Sequence, residues 1–293
     1  MRPFALSLAL VGASAAIAAG APSGPAPAPS ATPQGHLILM GGADTAVAGA
    51  KKFVELAGGP DAPLVVFPTA SEEPEKSGRE YSEMLRDQGG SRNVAVVDVR
   101  KREDALRPDY VAMVERAKGI FFGGGDQVRI MDALLGTPVG DAIVRAHERG
   151  IVVGGSSAGT ACQSEVMITG EGDFTVVRAG AVETKRGWGF FRGVVVDQHF
   201  IIRQRLDRLF SVILEHPDLV GVGVDEDTTI WVRPDNTFEV LGPASVMVID
   251  PASAAVARMK PAAGKELLGA RDLRVHFLLP GQVYDVGARK IVK

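Results

Sequence analysis

Gly150-Ile151-Val152-Val153-Gly154-Gly155-Ser156-Ser157-Ala158-Gly159 joins an apolar run, of the kind that fills a buried parallel strand, to a turn of small residues. Within it, Gly155-Ser156-Ser157-Ala158-Gly159 has the G-x-S-x-G spacing of a nucleophile elbow with Ser157 at its tip. Glycines on either side let a strand turn sharply into a helix, so the serine hydroxyl projects above the sheet edge. The next amide, that of Ala158, then faces the place where an oxyanion would form. Thr160-Ala161-Cys162-Gln163 is helix-compatible and continues the motif.

Working upstream, strand-like runs at 36–42, 64–69, 94–99 and 119–122 alternate with polar or amphipathic stretches. That alternation predicts crossover helices over a parallel sheet in a single α/β unit. Its strand ends carry Gly41-Gly42-Ala43-Asp44, Pro68-Thr69-Ala70-Ser71 and Gly123-Gly124-Gly125-Asp126-Gln127. Ligands of open α/β sheets bind at such carboxyl ends. In the last of these loops the amides of Gly124 and Gly125 are candidates for a second oxyanion donor, with Asp126 as a helix cap. The loop matches neither common phosphate-binding glycine pattern. Downstream, short strands are expected at 194–197, 220–225, 229–233, 238–241 and 246–249, with a hairpin at Pro234-Asp235-Asn236. They are expected to extend the sheet with antiparallel strands, and 273–292 reads as one more strand pair.

The chain has 293 residues. Arg2 followed by an apolar run from Phe4 to Ala19 reads as a signal peptide over residues 1–21, with a Pro/Ala-rich linker over 22–35 and the α/β domain over 36–293. An exported protein, periplasmic or extracellular, is the expectation. The single cysteine, Cys162, excludes an intrachain disulfide framework and reads as a small buried side chain packing the elbow helix onto the sheet. A formal charge of −3 and no long basic block argue against nucleic-acid binding.

A serine hydroxyl needs a base, and the chain has five histidines. His36 opens a strand, His147 lies in a helical pattern, His216 precedes a proline and His276 lies within a late strand, whereas His199 follows Val194-Val195-Val196-Asp197-Gln198 at a strand end. It is the candidate base. Glu226, closing the alternating Gly221-Val222-Gly223-Val224 run, is the candidate acid; Glu171 and Asp173, in the Gly-rich loop after the elbow helix, are the alternatives. Arg203, Arg205 and Arg208 suit substrate carboxylates, although on a regular helix Arg203 and Arg205 would stand about 200° apart.

Gly-Gly-Gly-Asp-Gln at 123–127, Gly-Ser-Ser-Ala-Gly at 155–159, Asp-Gln-His-Phe-x-x-Arg-x-Arg-x-x-Arg-Leu at 197–209 and Gly-Val-Gly-Val-Asp-Glu at 221–226 together resemble the cyanophycinase family of serine peptidases. The resemblance runs from Leu37 to about Asp250. It implies a mostly parallel sheet sandwiched by helices, like class I glutamine amidotransferases (flavodoxin-like), and a homodimer. It also implies Ser157, His199 and Glu226 as the catalytic set, with Gln127, Asp197, Gln198, Arg203, Arg205 and Arg208 in the substrate pocket. The implied reaction is hydrolysis of cyanophycin, a poly-aspartate with arginine on its side chains, to β-Asp-Arg dipeptides. An aspartyl or isoaspartyl dipeptidase, or a non-catalytic exported binding protein, is the alternative on the same scaffold. No metal or cofactor motif is apparent in the sequence, and a serine mechanism needs none. The chain departs from the family pattern at Ser156 and Thr160, where threonine and alanine are expected.

Overall fold

The structure is a computed structural model that describes residues 35–43 and 47–293. The expected signal peptide, all but the last residue of the expected linker, and Asp44 in the first glycine loop lie outside the described residues. The chain begins with β1 (Leu37–Met40), α1 (Val47–Leu56), β2 (Leu64–Phe67), α2 (Pro74–Glu83, continued by a π-turn over Met84–Gln88) and β3 (Val94–Val96). There follow α3 (Pro108–Arg116), β4 (Gly119–Phe122), α4 (Gln127–Leu134), α5 (Pro138–Glu148), β5 (Val152–Ser156) and α6 (Ala158–Ala161). Next come a β6 (Val166–Gly172) and β7 (Val182–Arg186) ribbon, β8 (Val194–Gln198), α7 (Leu206–Glu215), β9 (Val220–Val224), and the hairpin of β10 (Thr229–Val232) and β11 (Thr237–Leu241). The chain closes with β12 (Val246–Asp250), β13 (Ala255–Met259), β14 (Leu267–Arg271), β15 (Arg274–Leu278), β16 (Val283–Asp285) and β17 (Lys290–Ile291).

Nine strands form the main sheet in the order β17-β16-β11-β10-β1-β5-β4-β2-β3. From β1 to β3 every neighbour is parallel, and from β10 to β17 every neighbour is antiparallel. Of the parallel strands, β1, β2, β4 and β5 are buried on both faces, which is why they read as apolar runs, while β3 is a partly exposed edge. On one face, Ile38, Met40, Val66, Phe121 and Val152 pack with Phe53 and Val54 of α1 and Leu85 beyond α2. On the other, Leu39, Phe67, Phe122 and Val153 pack with Val114, Ile130, Leu134 and Ile143 of α3, α4 and α5.

The late strands depart from expectation in a way that shapes the site. Instead of all joining the main sheet, β15, β12, β9 and β8 make a second sheet in that order, and β8 and β9 are parallel. Val194, Val196, Val220, Val222 and Val224 face the core shared with Ile230, Val232, Phe238 and Val240 of the main sheet. The opposite face carries α7 through Leu209, Val212 and Ile213. This explains the Gly/Val alternation of β9: its valines face the core, while a Cβ on Gly223 would lie 2.2 Å from Phe200. The expected final pair is also divided, because β15 pairs with β12 whereas β16 and β17 extend the main sheet beyond β11. Among the described residues, no helix is long and apolar enough to cross a membrane.

Candidate active site

Three adjacent main-sheet strands, β1, β5 and β4, end together. Met40 is in register with Ser156, and Phe122 with Gly155, so the segments after them, Gly41-Gly42, Ser157 and Gly123-Gly124, meet at one edge. Ser157 takes φ 53° and ψ −109°, a left-handed conformation that a residue with a side chain adopts only where its surroundings enforce it. The enforcement is local: a Cβ on Gly155 would meet the backbone of Gly159 at 2.2 Å, so the turn closes only with glycine there. Thr160, one of the two departures from the family pattern, adds a tie, its hydroxyl lying 2.7 Å from the Met40 carbonyl and 2.9 Å from that of Gly155.

The elbow helix is shorter than expected, a single turn over Ala158–Ala161. The carbonyls of Cys162 and Gln163 accept from the amides of Trp188 and Phe191 and so leave the helical ladder. Cys162 is buried, its thiol beside the Gly159 carbonyl, and burial pushes its pKa far above the usual thiol range, which suits packing rather than nucleophilic attack.

His199 and the acid loop come from the second sheet. Gln198 and Val224 are the last paired residues of parallel β8 and β9, so His199 and Asp225-Glu226 emerge side by side. His199 Nδ1 lies 2.5 Å from Glu226 Oε1, and its Nε2 lies 2.9 Å from Ser157 Oγ. Ser157, His199 and Glu226 are therefore brought into one hydrogen-bonded line. Such a line lets the imidazole take the hydroxyl proton while the carboxylate holds the ring and stabilises its cation. His199 is buried, and desolvation lowers its pKa despite the opposing bond from Glu226, favouring the neutral base at neutral pH.

Gly42 clamps the other edge of the ring. Its φ is +111°, and a Cβ there would lie 2.1 Å from His199 Cε1. The His199 amide donates to the Gly41 carbonyl at 2.7 Å, and Asp227 N donates to the Gly42 carbonyl at 3.1 Å, so the two sheets are joined beside the reacting atoms. The alternative acids are not brought to His199. Asp173 accepts from Thr175 at 3.0 and 2.6 Å and pairs with Arg178, while Glu171 is exposed on β6.

The expected pocket residues divide by role. Gln127, Gln198, Arg203, Arg205 and Arg208 line a cleft beside Ser157 together with Gly125, Thr169 and Gly170, of about 190 Å³. Asp197 does not: it is 1% exposed and holds the buried Arg208 by a two-point contact, one arm of it 2.7 Å long. Arg205 donates through Nη1 to the backbone and side-chain oxygens of Gln198 at 2.7 and 2.6 Å; burial first, then the like charge of Arg208, lowers its pKa to about 10, which leaves it cationic at neutral pH. Gln127 gives its side-chain amide to the carbonyls of Ile168 and Thr169 at 2.6 and 2.8 Å, tying the Gly123–Gly125 loop to β6. The helical spacing applied to Arg203 and Arg205 does not hold, because α7 starts only at Leu206 and Arg205 is its cap. Arg203 from the turn before α7, Arg205 at the cap and Arg208 in its first turn therefore line one cleft.

One expected oxyanion donor is engaged elsewhere. The Gly124 amide donates to Tyr81 Oη at 2.9 Å, a partner on α2 that no local motif signals. Asp126 caps α4 by accepting from Val128 N at 2.8 Å.

An α/β sheet with a serine elbow, a neighbouring histidine and a carboxylate at its strand ends defines a serine-type peptidase. Peptidase family S51 matches residues 37–240. A cyanophycinase from Synechococcus elongatus is 37% identical over 262 residues, covering 88% of this chain and 81% of that protein. One from Geminocystis herdmanii is 34% identical over 253 residues, 85% and 93% of the two chains. Among solved structures, a peptidase from an acI-B1 Actinobacterium superposes with a TM-score of 0.66 at 23% identity, over 86% of this chain and 96% of that one, a likeness of fold. The chain belongs to peptidase family S51, among the cyanophycinases.

Proposed function

We propose that this peptidase is exported and hydrolyses cyanophycin to β-Asp-Arg dipeptides, with Ser157 as nucleophile, His199 as base and Glu226 as the orienting acid. The observation that carries the reading is the 2.9 and 2.5 Å relay opening into a cleft lined by Arg203 and Arg205, with Arg208 held against Asp197 in its wall. Ser157 Oγ attacks an aspartyl carbonyl as His199 Nε2 takes its proton; the amides of Ala158 and Gly125 receive the oxyanion. The imidazolium then protonates the departing amine, and water releases the acyl group by the reverse path.

Charge supports a substrate bearing both signs. Arg203 and Arg205 offer planar two-point partners for carboxylates, with Arg208 buried behind them against Asp197. A second cavity, of about 320 Å³, has Tyr81 in its wall beside Glu80, Glu83 and Asp87, and carboxylates suit the arginine side chains of the same polymer. The N-terminal sequence and the family resemblance are what support export and a homodimer. Incubating the mature protein with insoluble cyanophycin and identifying the soluble product by mass spectrometry tests the reading. β-Asp-Arg is the expected product. An inert polymer together with cleavage of short aspartyl dipeptides would replace it with the dipeptidase reading.

A further inference from the structure

Tyr81 lies on α2, outside every motif that marks the site, yet it touches the loop opposite Ser157. Its hydroxyl accepts the Gly124 amide at 2.9 Å, and its ring packs on Phe121 with centroids 5.6 Å apart. A Cβ on Gly123 would lie 2.8 Å from the ring. One on Gly124 would lie 2.8 Å from the hydroxyl and 3.4 Å from Ser157 Cβ, so the bare Gly124 Cα is set between the tyrosine and the serine.

A run of three glycines has little conformational preference of its own, and something outside the run must set the direction of its amides. The bond to Tyr81 fixes the plane of the Gly123–Gly124 peptide. The next peptide then turns through Gly125, whose φ of +135° only glycine adopts readily and whose open side is closed by the Ala70 carbonyl. While the Gly124 amide is held by Tyr81, the amide of the loop left to pair with Ala158 is that of Gly125.

We infer that Tyr81 is a positioning residue for the oxyanion site: by holding the Gly124 amide it aims the Gly125 amide at the oxygen that becomes charged. This rests on the proposed hydrolytic reading of Ser157. Stabilisation of that kind acts on the transition state and not on bound substrate, so its loss falls on kcat.

The test is Tyr81→Phe, which keeps the ring and removes the hydroxyl, compared with Gly124→Ala, whose Cβ would displace the hydroxyl. Each should lower kcat by about 10–100-fold with KM within about twofold, the range expected for weakening one oxyanion donor. The inhibition constant of a peptide boronate, which forms a tetrahedral adduct on the serine, should rise by the same factor. The acidic limb of the pH profile should not move, since His199 is untouched. Because both changes break one contact, the double variant should be no worse than either single one. Wild-type kcat and boronate inhibition in a folded Tyr81→Phe protein, a change confined to KM, or additive losses in the double variant would each overturn the inference. If Tyr81→Phe lowers thermal stability enough to obscure kinetics, Gly124→Ala alone carries the test. Should cyanophycin prove not to be the substrate, the boronate measurement still reads the effect of Tyr81, which separates the two failures.

Discussion

The two sheets contribute to the site in different ways. The main sheet supplies Ser157 through a single local turn, in which Gly155 and Gly159 close the elbow and Thr160 ties it to β1. The second sheet supplies His199 and Glu226 through a pairing between β8 and β9 that brings together residues 27 positions apart in the chain. One half is thus written in a pentapeptide, the other in tertiary structure. His199 and Glu226, the proposed base and acid, follow neighbouring parallel strands as a pair, and that pair is registered against the serine by the contacts of Gly41 and Gly42 with His199 and Asp227. The seam between the sheets is accordingly where the reacting geometry is set.

The largest effect expected on the main-sheet side is from Ser157→Ala, which should reduce turnover to background without unfolding the protein, while Ser156→Ala keeps most activity. Steady-state kinetics with circular dichroism checks both, and equal losses would break the assignment of the elbow tip. On the second-sheet side, Glu226→Gln should lower kcat by about 10²–10⁴-fold because the imidazole loses its orienting charge. Asp173→Asn, at a residue already paired with Arg178, should be nearly neutral in the same assay. Arg205→Lys should raise KM by roughly tenfold with a smaller change in kcat, since an ammonium cannot reproduce a planar two-point contact. Substrate titration separates these two effects.

The smallest effect concerns stability on the helix-covered flank of the main sheet. His147 of α5 stacks on Phe190 with centroids 4.3 Å apart, and burial lowers its pKa to about 4. An unfolded histidine titrates near 6.5. The stability that comes from keeping His147 neutral is therefore complete above about pH 6.5 and is lost as pH falls through about 4, on the order of 3 kcal/mol in all. Denaturant unfolding at pH 7 and pH 4 should show a smaller acid loss in His147→Leu than in the natural protein.

Much of this is legible in the amino-acid sequence. Strand ends are marked by abrupt changes from apolar to glycine-rich or polar residues, and Ser157, His199, Glu226, Gln127 and Gln198 all follow such changes. What stays hidden depends on long-range partners. Nothing in Val194–Gln198 tells which sheet it joins, and Arg274–Leu278 reads as a strand without revealing that β12 is its neighbour. Arg203 and Arg205 are incompatible with one pocket only on a continuous helix, whereas positive φ at His199 and Gln204 shapes a turn there instead. Asp197 reads as a pocket residue because it lies in the motif; its burial under Arg208 shows that a motif can hold a support beside a contact. The role of Tyr81 has no local signal at all, its partner being 43 residues away.

The most direct measurement of the central claim, that a serine from one sheet is activated by a pair from the other, is the rate at which a fluorophosphonate labels the protein as pH is varied. The label should map to Ser157, and its rate should rise with pH through a midpoint below the ordinary histidine value of about 6.5, because burial disfavours charged His199. In Glu226→Gln the same reaction should be at least about tenfold slower. Labelling at Ser156, or a rate in Glu226→Gln equal to that of the natural protein, would contradict it.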